Sequence, residues 1–118
     1  MNTPISIIIP CKDDPEILDC VRSIDYHNAE ISIVLNGTPD DFYEWLSGKL
    51  QDDTRITMHR LPRPNLAWAL EFGTQHAKHD LIVYMDSDCR FEKGALQAFV
   101  DTAERYDVAM NVFKGDVI

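Results

Sequence analysis

Two aspartates separated by one residue are the strongest chemical signal in the sequence. Asp86 and Asp88 directly follow an apolar run at residues 81–85. Side chains two apart in an extended segment point the same way, so two carboxylates about 5 Å apart repel by roughly 3 kcal/mol at an effective dielectric constant of about 20. Mg²⁺ or Mn²⁺ would relieve that repulsion and keep coordination positions that phosphate oxygens can fill. The alternative is structural, because aspartate is also common in turns and before helices.

The elements that must position these carboxylates alternate along the chain. Short apolar runs predict strands at residues 5–9, 31–35, 56–59, 81–85 and 108–112. Helices are predicted to begin near Asp14, Thr38 and Asn65, and a fourth follows the aspartate pair. In the third helix, the small residues Ala69 and Gly73 predict close contact with the sheet. This alternation predicts an α/β fold with a mostly parallel, doubly wound sheet flanked by helices, and ligands at the carboxyl ends of the strands.

Composition narrows the class of protein and its partners. The 118 residues fit a single domain, 1–118, and the formal net charge of −9 argues against nucleic acid or an anionic membrane as partner. No apolar run approaches the roughly 20 residues that span a bilayer, and no basic segment of a signal peptide opens the chain. Three cysteines without a C-x-x-C pair fit reduced thiols. We therefore expect a cytoplasmic protein with no membrane span.

Other residues carry weaker chemical signals. Cys11 has no matched histidine motif that would make it a nucleophile. His76 and His79 lie three apart near a predicted helix end, where we interpret them as helix-end residues and keep metal binding as the alternative.

Three segments of the sequence resemble family 2 glycosyltransferases. They are the opening strand and proline at residues 5–10, the second strand and turn at 31–38, and the strand with Asp-x-Asp at 81–88. Their order and spacing agree across nearly the whole chain. The resemblance implies the Rossmann-like GT-A fold, with this chain as the nucleotide-sugar-binding half. It also implies an Mn²⁺ or Mg²⁺ cofactor and transfer of a sugar to an acceptor that the sequence does not identify.

The same resemblance implies where the nucleotide sugar binds. Asp86 would approach the ribose or the metal, and Asp88 the metal and the diphosphate. A missing cation would come from Arg63 or Arg60. The loops after the first two strands would lie beside the nucleoside. The residues they would bring there are Pro10, Lys12, Asp13, Asp14 and Asn36.

Several positions depart from the pattern of the family that the chain resembles. Members often carry two aspartates after the second strand, where this chain has Leu35 and Asn36. An amide both donates and accepts hydrogen bonds, so recognition of uracil does not follow. Many members have Arg-Asn where this chain has Leu70 and Glu71.

Members also continue into an acceptor-binding half that carries the general base, whereas this sequence ends at Ile118. No catalytic residue is therefore nominated here, and we expect a homodimer or dependence on a partner chain.

Two other functions compete with sugar transfer. A catalytically incomplete module would bind the nucleotide sugar and work with another chain. A nucleotidyltransferase is disfavoured, because the segment after the first strand, from Cys11 to Asp14, is not a glycine-rich phosphate loop.

Overall fold

The computed structural model describes residues 2–106, and strands and helices alternate along this part of the chain. In chain order the elements are β1 (Ile5–Cys11), α1 (Ile17–Arg22), β2 (Ala29–Asn36), α2 (Asp40–Leu50), β3 (Ile56–Leu61), α3 (Leu66–Gln75), β4 (Leu81–Tyr84) and α4 (Ala95–Tyr106). The predicted α/β alternation is confirmed for these elements. The strand predicted at 108–112 lies outside the described residues.

The four strands form one parallel sheet in the order β3-β2-β1-β4. Ile7 in the central strand β1 lies opposite Ile31 of β2 and Val83 of β4. The chain builds outward from β1 through β2 to β3 and then returns to the other side of β1 with β4. Such a reversal opens a crevice at the carboxyl ends of the two strands that flank it. Here those strands are β1 and β4, and β4 leads into the aspartate pair.

The two faces of the sheet are buried by different helices. Alternate β1 residues such as Ile7 and Ile9 belong to a large apolar cluster with residues of α1, α2 and α4, while Ile8 packs with Val34 and with Ala69 of α3. Burying an aliphatic side chain of this kind contributes roughly 1.5–3 kcal/mol. Burial on both faces explains why β1 and β2 are apolar almost throughout.

Helix α3 approaches the sheet closely, as its small residues predicted. A Cβ on Gly73 would lie 2.5 Å from Cγ2 of Ile8, so no side chain fits there. The helix begins where Asn65 accepts a hydrogen bond from the Trp68 N–H at 3.0 Å. It ends at Gln75, before Ala77, which the sequence had placed on the same helix.

Strand β1 runs through Pro10, where the sequence predicted that it would stop. The Ile8 carbonyl accepts the Met85 N–H at 3.0 Å, so the backbone polar groups of Ile8 point toward β4. The backbone polar groups of Pro10, two residues later, point in the same direction. β4 ends at Tyr84, so the missing N–H of Pro10 falls beyond the ladder and costs no hydrogen bond.

None of the helices within residues 2–106 is both long and apolar enough to cross a membrane.

Candidate functional site

A tight turn follows β4 and carries the aspartate pair. The turn is closed by the Cys89 N–H, which donates to the Asp86 carbonyl at 3.1 Å. The buried Cys20 thiol donates to the same carbonyl at 3.6 Å. Ser87, between the two aspartates, donates through Oγ to Oδ2 of Asp14 at 2.9 Å. These contacts fix the backbone of the turn from α1 and from the loop after β1.

The side chains of this turn form one group of metal-binding character. Oxygen atoms of Asp86 and Asp88 and the sulfur of Cys89 lie within 4.8 Å of one another, and both aspartates are exposed. No other group of three His, Cys, Asp or Glu side chains within residues 2–106 comes this close together. Carboxylate oxygens suit Mg²⁺ and Mn²⁺, so the donor set fits the divalent ion that the sequence predicted at Asp86 and Asp88.

The loop after β1 is held in place by Asp14. Its Oδ1 accepts the Glu16 N–H at 3.0 Å, and its Oδ2 accepts the Ser87 hydroxyl. Asp13 has a φ of 55°, a left-handed conformation that aspartate tolerates better than most residues. Lys12 is exposed, with its ammonium 3.6 Å from the Asp13 carboxylate. One carboxylate oxygen of Asp14 therefore holds its own loop, and the other ties that loop to the turn after β4.

The turn after β2 is packed against the loop before α3. Asn36 is 7% exposed, and its Oδ1 accepts the Asn65 N–H at 2.7 Å. Gly37 has a φ of 77°, and a Cβ there would lie 2.7 Å from Cδ of Pro64. Glycine is required at this position by both conformation and space.

The two candidate arginines are used differently. Arg60 donates to the Thr38 carbonyl at 2.9 Å and to Asp40 at 2.8 Å, and its guanidinium lies 4.5 Å from the centre of the Tyr43 ring. Arg63 is exposed on the loop before α3 and makes no ion pair within residues 2–106. Of the two, Arg63 has its guanidinium available to a ligand.

A largely apolar pocket of about 400 Å³ opens beside the turn. Pro10 and Asp86 border it from the carboxyl ends of β1 and β4. Thr74 on its α3 wall shares a hydrogen bond of 2.6 Å with the Tyr84 hydroxyl. The remaining lining residues are Leu66, Leu70, Glu71, Gln75 and Met85. The pocket therefore lies at the crevice that the strand order creates.

Burial makes two of the three thiols poor nucleophiles. It raises the pKa of the Cys11 thiol, and it raises the pKa of Cys20 to about 12. Cys11 is 1% exposed and Cys20 is fully buried, whereas Cys89 is partly exposed in the turn.

The fold brings some of the predicted site residues together. Pro10 and Asp86 meet at the pocket, Asp88 lies next to Asp86, and Asp14 reaches the same turn through Ser87. The other predicted residues lie at the carboxyl edge of the sheet, with Asn36 at the end of β2 and Lys12 and Arg63 on loops. Sequence reasoning missed Cys89 and the apolar lining of the pocket. The one signal for Cys89 in the sequence was its place directly after Asp88, and the turn that folds it back over Asp86 is seen in the structure alone.

Comparison with known proteins places the chain in a family. The family model described as Glycosyl transferase family 2 matches residues 6–118. Among solved structures, the fold is similar to the crystal structure of S. aureus TarS 1-349, with a TM-score of 0.77 and 15% sequence identity. The match covers 89% of this chain and 33% of that one, so this chain spans about a third of its length. No curated protein matches the sequence.

Proposed function

This chain belongs to glycosyl transferase family 2, and from that premise we propose that it forms the nucleotide-sugar-binding half of a metal-dependent glycosyltransferase. One observation carries the proposal. Asp86 and Asp88 lie at the end of β4, beside a pocket of about 400 Å³ in the crevice between β1 and β4. Open parallel sheets bind their ligands at this place.

The metal follows from charge. A nucleotide sugar carries an anionic diphosphate, and the chain itself has a net charge of −9. Asp86 and Asp88 would hold Mn²⁺ or Mg²⁺, which when bound neutralises the diphosphate and stabilises it as a leaving group. Lys12 and Arg63 are exposed cations on neighbouring loops and would attract the same anion.

The remaining residues position the donor. Pro10 and Asp86 border the pocket and would contact the nucleoside and its ribose. Asp14 acts through Ser87 by holding the turn at residues 86–89, which we call the metal turn. Asn36 acts through Asn65 by holding the start of α3. We assign no general base to residues 2–106, and the sugar goes to an acceptor bound by another part of the enzyme.

A donor-binding module without transfer is the second candidate. It is favoured by the turn after β2, where Leu35 is fully buried and Asn36 uses its carboxamide oxygen on Asn65. This turn offers no carboxylate to a ligand. Donor binding without sugar transfer or donor hydrolysis would distinguish this module from the enzyme.

A homodimer or a partner chain stays a prediction. We propose that the protein is cytoplasmic, because three cysteines that form no disulfide within residues 2–106 fit a reducing compartment.

Calorimetric titration of nucleoside diphosphates, with and without Mn²⁺, tests the proposal. We expect one of UDP, GDP, CDP or ADP to bind in the presence of Mn²⁺. The Asp88→Ala variant should bind it at least about tenfold more weakly, because losing a metal ligand costs no less than losing one of the groups that orient it. Asp52→Ala is the matched control, because Asp52 is an exposed aspartate between α2 and β3, at the opposite end of the sheet. Failure of every nucleotide to bind, with or without metal, would sink the proposal.

A further inference from the structure

A cysteine lies beside the two carboxylates of the metal turn. Because the Cys89 N–H closes the turn on the Asp86 carbonyl, residue 89 folds back over residue 86. The Cys89 thiol donates a hydrogen bond to Oδ1 of Asp88 at 3.5 Å, a contact that a metal ion would replace. The Cys89 sulfur also lies within 4.8 Å of an Asp86 oxygen. Three potential ligand atoms thus point into one small volume.

The distance between the Cys89 sulfur and Oδ1 of Asp88 is one that two ligands of the same metal ion can have. Zn²⁺, a divalent ion of this kind, binds a carboxylate oxygen at about 2.1 Å and a thiolate sulfur at about 2.3 Å. Two such ligands are about 3.1 Å apart at a right angle and about 3.6 Å apart at a tetrahedral angle. The 3.5 Å between Cys89 and Asp88 falls within this range. Asp86 is exposed, so a rotation of its side chain brings the third atom in.

We propose that Cys89 is a third protein ligand of the metal held by Asp86 and Asp88, and that its sulfur makes the site prefer Mn²⁺ over Mg²⁺. The inference rests on the proposed function, because it concerns the same metal. A sulfur–metal bond forms and the thiol proton leaves to solvent. Mg²⁺ is a hard ion that takes oxygen ligands and binds a soft thiolate poorly. Mn²⁺ also prefers oxygen, but as a first-row transition metal ion it accepts a sulfur ligand more readily than Mg²⁺ does.

The surroundings of the turn support this role. Cys20 donates to the backbone of the turn at the Asp86 carbonyl, and Ser87 in the middle of the turn donates to Asp14. Groups of this kind fix the orientation of metal ligands. Cys11 and Cys20 are buried, so of the three thiols Cys89 is the one that reaches solvent and an entering ion.

Titration with Co²⁺ tests the inference directly, because a cobalt–thiolate bond absorbs in the near ultraviolet and a cobalt–carboxylate bond does not. We expect this absorption in the wild-type protein, its loss in Cys89→Ser, and its retention in Cys11→Ala, which removes a buried thiol. In competition against Co²⁺, Cys89→Ser should weaken Mn²⁺ binding at least about tenfold and leave Mg²⁺ binding within about twofold. Equal Mn²⁺ affinity in wild type and Cys89→Ser would overturn the inference.

Alkylation by iodoacetamide gives a second measurement that needs no variant. Mass spectrometry of the folded protein should find Cys89 modified, and saturating Mn²⁺ should slow that reaction while Mg²⁺ does not. Metal binding without protection of Cys89 overturns this inference and leaves the proposed function standing. Absence of any metal binding, together with failure of the nucleotide titration, overturns both.

Discussion

Asn36 shows how a side chain at the edge of the site acts within the protein. Its oxygen accepts the Asn65 N–H at 2.7 Å, and the Asn65 side chain in turn accepts the Trp68 N–H at 3.0 Å. The two asparagines connect the end of β2 to the first turn of α3. Because α3 forms one wall of the pocket, this pair sets the position of that wall.

Replacing Asn36 should therefore destabilise the fold. The Asn36→Ala variant leaves the Asn65 N–H without its acceptor, and we expect the free energy of unfolding to fall by about 1–2 kcal/mol. Asn36→Asp keeps an acceptor near the start of a helix and should retain most of the stability. Urea denaturation of the three proteins measures the difference. A wild-type midpoint for Asn36→Ala would show that the hydrogen bond contributes nothing.

Residue types alone predicted part of the site. The spacing of Asp86 and Asp88 predicted a pair of neighbouring carboxylates, because side-chain direction in an extended segment repeats every two residues. The return of Cys89 over Asp86 depends on a turn that spacing does not specify. Asp14 was predicted as a ligand contact, yet its carboxylate accepts hydrogen bonds from its own loop and from Ser87. The sequence does not show whether a carboxylate oxygen accepts a hydrogen bond from the protein itself or is available to a ligand.

Among the elements, α3 packs closely on the sheet at one of its glycines. Gly73 faces Ile8 of β1 with no room for a side chain, although glycine is a poor helix former. The close packing of Gly73 on Ile8 therefore outweighs the low helix propensity of glycine. The small residues Ala69 and Gly73 predicted the close approach of α3, because a helix backbone can approach a sheet closely only where its side chains are small.

Two glycine substitutions separate propensity from packing. Gly73→Ala gains up to about 1 kcal/mol of helix propensity, but its Cβ would lie 2.5 Å from Ile8, and overpacking of this kind costs about 1–3 kcal/mol. We expect a net loss of stability. Gly48→Ala in α2 meets no atom within 4 Å and should stabilise the protein by about 0.5–1 kcal/mol. Thermal and urea denaturation of both variants measure these signs, and stabilisation by Gly73→Ala would contradict the close contact.

The ends of the elements were harder to predict than their existence. The sequence stopped β1 at Pro10, but the neighbouring strand β4 has already ended there, so the proline costs nothing. The sequence also carried α3 to Ala77, while the helix ends at Gln75. Where an element ends depends on its partners in space, which a local pattern does not contain.

At the scale of the molecule, the sheet order decides where a ligand can bind. Alternating strands and helices predicted parallel strands, but each new strand could join either edge of the sheet. The order β3-β2-β1-β4 puts the crevice between β1 and β4, beneath Asp86. The two faces of the sheet are also covered by different numbers of helices. Within residues 2–106, α3 is the helix that packs on the face around Ile8. Stability of the whole fold should therefore respond to whatever loosens α3.

Acidification provides such a test through His59 on β3. Its ring lies 5.2 Å from that of Phe72 and 5.6 Å from that of His76, both next to or on α3. Burial, reinforced by the charge of His76, lowers the pKa of His59 below its usual 6.5. Folding thus favours the neutral ring, and this contribution to stability is full above about pH 6.5 and is lost as the pH falls through the lower folded-state value.

We accordingly expect the free energy of unfolding to decline as the pH drops below about 6.5. In His59→Gln, which cannot be protonated in this range, the decline should be smaller, because no charge then develops between the sheet and α3. His27→Gln is the matched control, since His27 is exposed just before β2, and it should keep the wild-type slope. Urea denaturation at a series of pH values measures all three proteins. If wild type and His59→Gln lose stability in parallel, the half-buried His59 ring does not link α3 to pH, and the loss comes from groups elsewhere on the surface.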